Sequence, residues 1–166
     1  MVYTGRMQKK IFFVLVFFLT IAVLNAVQED YLTIKAFVEP RAVMQGEEGV
    51  LKMKITPKNG IKISSHPEFM IKLDQNNNLS FSKVFFTASE LDFQTRQENN
   101  AVFLELEKEV SILFKVNQES LIGTQKIRGE VVFTAVFDDN WSVKTYQKFD
   151  TDFVSRKNFK VKSKRK

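Results

Sequence analysis

The chain has 166 residues, 44% of them hydrophobic and 27% charged, which suits one folded domain with a sizeable core rather than a disordered polymer. It contains no cysteine, which excludes disulfides, thiolate catalysis, iron–sulfur clusters and cysteine-bound zinc. The net charge of +6 sits at the ends: residues 1–26 carry +3, residues 155–166 carry +7, and the 128 residues between them carry −4. A mildly acidic middle argues against a basic nucleic-acid-binding face.

Arg6, Lys9 and Lys10 precede a run over residues 11–24 that is apolar apart from Thr20. Asn25-Ala26 and the polar Val27-Gln28-Glu29-Asp30 follow. A basic start, a short apolar stretch and a small residue at its end form the layout of a secretory signal. The run is shorter than the roughly 20 apolar residues a membrane span needs. Residues 1–26 are therefore expected to be a signal peptide, an apolar signal helix that directs export to the periplasm. Leu24 is large for the cleavage motif, and an uncut segment would serve as an N-terminal membrane anchor.

From residue 31 onward the pattern has period two, the mark of half-buried strands. Leu32, Ile34, Ala36 and Val38 alternate with polar residues, as do Leu51, Met53 and Ile55. Ile61-Lys62-Ile63 begins a further strand, and Phe69-Met70-Ile71-Lys72-Leu73 continues after His66-Pro67. The run 79–86 reads as one strand, and Val102, Leu104 and Leu106 read as the inner face of the next. Val110, Ile112, Phe114 and Val116 follow, then a long strand with Ile127, Gly129, Val131, Phe133, Ala135 and Phe137 on one face. Trp141, Val143 and Phe149 mark the last strand. Gly-, Asn- and Asp-rich turns separate these runs, because those residues reach left-handed backbone or bond their own main chain. The 17 Phe residues favour pleated, well-packed surfaces. Seven to nine strands with this spacing predict an all-β, immunoglobulin-like, two-sheet antiparallel sandwich over residues 27–154. A short helix or 3₁₀ turn fits near Ala88 to Leu91 or Gln118 to Leu121. Residues 155–166, with seven Lys or Arg and no acid, read as a basic, disordered tail. Near an anionic membrane such a cluster contributes roughly 1 kcal/mol per basic residue.

The side chains that could carry chemistry are few. His66 is the sole histidine and, in Ser64-Ser65-His66-Pro67, reads as a turn residue. Asp138-Asp139 could pair for metal or acid–base work, but Asp-Asp-Asn is ordinary hairpin-turn chemistry. Glu105, Glu107 and Glu109 read as a solvated strand face opposite lysines on a neighbour. Phe85-Phe86 and Phe137 read as core, and Trp141 as an aromatic cap on a loop at the sandwich end. Neither a glycine-rich phosphate loop nor a nucleophile–base pattern emerges, so no enzyme activity, cofactor or metal is expected.

Three stretches, taken in order, resemble the N-terminal periplasmic domain of the thiol:disulfide interchange protein DsbD over residues 45–153. They are Gln45-Gly46-Glu47-Glu48-Gly49 with the strand Val50 to Ile55, then Asn59-Gly60-Ile61-Lys62-Ile63-Ser64-Ser65-His66-Pro67, then Gly129-Glu130-Val131-Val132-Phe133-Thr134-Ala135. The resemblance implies an immunoglobulin-like fold whose redox hairpin meets other proteins. That family carries two cysteines separated by five residues on the hairpin, and Val136 and Ser142 stand at the matching positions. Neither can form a thiolate, so electron transfer does not carry over. The expected function is an exported, non-catalytic protein-interaction domain. Its contact residues would be Phe137, Asp138, Asp139 and Trp141, and its partner an exported or membrane protein. The alternative is an envelope structural protein held peripherally at an anionic membrane surface by its basic tail.

Overall fold

The structure is a computed structural model that describes residues 30–138 and 141–159. The expected signal, Asp139 and residues 160–166 of the basic tail lie outside the described residues.

The described chain folds as two packed sheets. The first holds β1 (Leu32–Glu39), β3 (Glu48–Pro57), β10 (Val110–Val116) and β6 (Leu79–Phe81), in that order. The second holds β2 (Ala42–Met44), β12 (Ser142–Arg156), β11 (Gly123–Phe137), β5 (Met70–Leu73) and β7 (Phe85–Thr87), with β4 (Ile61–Ile63) also pairing β11. β8 (Gln94–Glu98) and β9 (Ala101–Glu105) form a separate hairpin. Every pairing is antiparallel except β2 with β12, which is parallel. This departs from the all-antiparallel expectation because the chain changes sheets at Pro40 and Arg41. β1 is thereby left on the first sheet while β2 runs beside β12.

The period-two reading places the core correctly. Leu51, Met53, Ile55, Ile71, Val131 and Phe133 are fully buried between the sheets, with Phe69 beside them. Burying one such side chain is worth about 1.5–3 kcal/mol. At Gly129 the interior leaves no room for a side chain. A Cβ there would lie 2.3 Å from the Lys72 carbonyl oxygen and 2.8 Å from the Phe149 ring.

Several expectations need correction. Residues 79–86 are not one strand: β6 joins the first sheet and β7 the second, and Ser82-Lys83-Val84 crosses between them. The inward positions change phase there, from Leu79 and Phe81 to Val84 and Phe86, and the one-strand reading runs through that break. In β7, Phe86 is buried but Phe85 is 52% exposed. In β9 it is Phe103, not Val102, that turns inward, because Phe103 bridges to Ser64 beside β4. Glu105 ends β9, whereas Glu107 and Glu109 lie on the connection to β10, so they share no strand face. Glu109 still meets a neighbouring lysine, Lys52 of β3, at 3.5 Å. The tail begins later than expected: β12 runs to Arg156, with Val154, Ser155 and Arg156 paired to β2. Ser155 is fully buried, and the Asn158 side chain donates to the Gln45 carbonyl at 3.2 Å.

Near Ala88 the chain makes one capped turn rather than a helix. The Leu91 N–H reaches Thr87 O at 3.1 Å, while the Thr87 N–H donates to Glu90 Oε2 at 2.9 Å. Lys83 also bonds the Glu90 carboxylate. The Lys83 hydrogen bond, then the Thr87 backbone N–H, hold the Glu90 carboxyl down at about 2, from an ordinary 4.5. A depressed folded pKa stabilises fully above the unfolded value and stops doing so as pH falls through the folded one. Glu90 should therefore stay ionised in an NMR titration down to about pH 2, and its stabilising effect should fade between pH 4.5 and 2. Glu90→Gln should remove that part of the acid dependence. Gly129→Ala should destabilise the fold by about 2–3 kcal/mol in urea unfolding, because the obstructing atom is backbone and cannot rotate away.

Candidate functional site

β11 and β12 form a long hairpin, paired from Gly123–Ser155 to Val136–Ser142. Phe137 closes β11, and its N–H donates to the Trp141 carbonyl at 2.9 Å just before β12 begins. Their rings lie 4.8 Å apart at 32°, and Tyr31 meets Phe137 edge-on at 5.4 Å. Such ring pairs add about 0.5–1.5 kcal/mol beyond burial. Phe137 is half-buried beneath this stack, whereas Trp141 is 56% exposed. Asp138 is exposed at the turn. It approaches Gly60, whose φ of +76° lets the β3–β4 turn close. The structure thus brings Phe137, Asp138 and Trp141 together. Val136 and Ser142 are direct cross-strand partners one step below the tip.

β4 extends the site sideways. Ile61 pairs with Phe137, so the aromatic end of the hairpin borders a cleft of about 620 Å³ under the β8–β9 hairpin. Ile61, Ile63, Phe103 and Leu104 supply its apolar lining, and Lys54, Lys62 and Arg96 share the rest with Glu105 and Glu107. Lys62 holds the β8–β9 hairpin by binding Glu98 at 2.6 Å and lying 5.4 Å from the centre of the Phe103 ring. The Lys62 bond is the main reason the Glu98 carboxyl sits below its usual range. Ser65 secures the same hairpin from its backbone N–H and its hydroxyl, both 2.9 Å from the Val102 carbonyl.

This arrangement bears on His66. Ser65 Oγ lies 2.9 Å from His66 Nδ1, which resembles a nucleophile beside a base. The same hydroxyl reaches Val102 O at 2.9 Å, and the imidazole tautomer sets which atom donates in the Ser65–His66 contact. Among the described residues, no cluster of three or more His, Asp or Glu could hold a metal ion.

Sequence reasoning missed β8 and therefore the cleft. Gln-Thr-Arg-Gln-Glu has no apolar face, so period-two logic does not register it. The available signal was Asn99-Asn100. Both residues have positive φ, 49° and 66°, as a tight hairpin turn requires, and the sequence reading took this stretch only as a turn.

No protein-family model matches the chain, and no curated protein matches it. Solved structures with a similar course are distant. The chain is 16% identical to a chain of a cohesin–dockerin complex from Clostridium thermocellum, over 75% of this chain and 99% of that one, with TM-score 0.39. It is 12% identical to BcpA, the major pilin subunit of Bacillus cereus, over 75% of this chain and 39% of that one, with TM-score 0.38. It is 6% identical to the collagen-binding subdomain ACE19 of the Enterococcus faecalis surface protein ACE, over 76% and 98% of the two chains, with TM-score 0.39.

Proposed function

We propose that this protein is an exported, non-catalytic interaction domain that grips a partner protein with the tip of its β11–β12 hairpin. The observation that carries this reading is Trp141, more than half exposed yet fixed by stacking on a half-buried Phe137. A rigid aromatic at the end of a long hairpin loses little entropy on binding, and Trp is among the residue types enriched at binding hot spots. The cleft behind Ile61, part apolar and part charged, gives a partner side chain a place to insert beside the stack. The N-terminal basic and apolar pattern supports export to the periplasm.

The resemblance to the DsbD N-terminal domain supports the same hairpin as the contact surface. On this reading the fold keeps the geometry of a redox hairpin without its thiols.

Two experiments test the proposal. Trp141→Ala should cost the fold no more than about 1.5 kcal/mol, the worth of its ring pair with Phe137, and leave the protein folded. It should weaken capture of the partner found by photo-crosslinking from position 138 about 30-fold, the effect of losing a hot spot worth about 2 kcal/mol. Unchanged capture with an intact fold would remove the hairpin tip from the interface. Separately, the double variant Val136→Cys, Ser142→Cys should oxidise within one chain, read as a loss of free thiol. The Phe137–Trp141 bond makes the 136–142 pair the close, non-hydrogen-bonded kind, at about 4.5 Å between Cα atoms, which a disulfide can span. The gain in stability should not exceed about 2 kcal/mol, because the closed loop is short.

A further inference from the structure

The opposite end of the same hairpin carries a second exposed apolar group. Leu121 and Ile122, in the loop entering β11, are 70% and 59% exposed, and Phe159 beyond β12 is 82% exposed. The pairing of Gly123 with Ser155 brings the loop alongside Arg156, and Arg156 in turn pairs with Met44, also exposed. The side chains project while the backbone beneath them is fastened. Gln125 Nε2 donates to Leu121 O at 2.9 Å, and Gln45 Nε2 donates to Ser120 O at 2.7 Å. A soluble protein has no folding reason to hold Leu-Ile at a tied-down loop tip.

Charge identifies what meets this end. Residues 155–166 carry seven Lys or Arg and no acid, against Glu47 and Glu119 on the adjoining loops. Two copies brought together here would oppose like charge with like. Apolar tips beside Arg156 and Lys157, with five more Lys or Arg following in the sequence, instead match an anionic bilayer: the side chains sink below the headgroups while the basic residues face the phosphates.

We propose that this end of the sandwich docks on an anionic membrane surface, with Leu121, Ile122 and Phe159 as apolar anchors and the C-terminal basic residues as the electrostatic arm. The proposal is independent of the partner-binding reading, since it uses the far end of β11 and β12. Fifteen residues of β12, at about 3.3 Å each, place the two ends roughly 45 Å apart.

The test uses residues 27–166, which contain every described strand and the whole described core, so that the N-terminal apolar run adds no lipid affinity of its own. Vesicles of phosphatidylcholine with an equal part of phosphatidylglycerol should sediment the protein, less so as salt rises, and vesicles of phosphatidylcholine alone should not. Leu121→Asp with Ile122→Asp should lower binding about tenfold or more while leaving circular dichroism and the unfolding midpoint unchanged, since both side chains lie in solvent. Bromine-labelled acyl chains should quench a tryptophan placed as Leu121→Trp in a Trp141→Phe background, and should not quench native Trp141. Equal binding to both vesicle types, no effect of the double aspartate variant, or quenching of Trp141 would each overturn the proposal. So would a dimer in sedimentation velocity that the double variant abolishes.

Discussion

Fourteen cross-strand pairs join β11 to β12, from Gly123–Ser155 to Val136–Ser142, and the rest of the sandwich is arranged around that ladder. β4 and β5 dock along the free edge of β11, and β2 docks on the end of β12. The ladder cannot slip. Ile127, Val131, Phe133 and Ala135 all point inward, and a shift of one residue would turn the set into solvent. Gly129 pins the same register from the other side, because only a residue without Cβ lets the Lys72 carbonyl and the Phe149 ring approach together. A strand interior normally disfavours glycine, so its presence at the centre of the longest ladder reflects that close approach.

The ladder also sets how the sandwich is held along one side. β1 belongs to the first sheet and β12 to the second, so no backbone ladder joins them. Gln147 bridges them instead. Its carboxamide accepts from the Leu32 N–H at 3.0 Å and donates to the Leu32 carbonyl at 2.8 Å. A side-chain amide thus stands where the peptide of a neighbouring strand would be, covering an edge that would otherwise offer itself for pairing. One end of the seam is tied by Gln147, and the other by β2 once the chain has changed sheets.

These features were unequally legible in the sequence. The core was readable because burial in a sandwich follows a simple period, and Leu51, Met53, Ile55, Val131 and Phe133 obey it. The crossing between β6 and β7 showed only as a change of phase, since alternation records which face is inward and not which sheet a residue joins. The glutamine seam was equally hidden, because Leu32 and Gln147 lie 115 residues apart and no local pattern couples them. At the candidate site, Phe137 and Trp141 could be singled out from composition and turn chemistry, and the structure adds their stacking. The cleft beside them depends on β8, whose five polar residues are exposed or nearly so and carry no hydrophobic signal. The basic end was visible as charge, but its apolar tips were not. Leu121 and Ile122 look like core residues until the Gly123–Ser155 pairing turns the loop outward.

The separation of the two ends has an electrostatic consequence. At physiological ionic strength the Debye length is about 8 Å, so the charges of Arg156 and Lys157 are screened out well before the hairpin tip, roughly 45 Å away along β12. They can set where the protein rests, but they cannot steer a partner toward Trp141 through the field. On the proposed reading, recognition at the tip rests on short-range terms: the fixed indole, the Phe137 ring beneath it and the pocket behind Ile61. Sites this far apart, with no side chain in common, contribute additively unless a conformational change links them. The two rigid strands that connect them are paired along nearly their whole length, which leaves little in the ladder to bend. The hairpin therefore acts as a spacer, holding the aromatic tip at a fixed distance from the basic end.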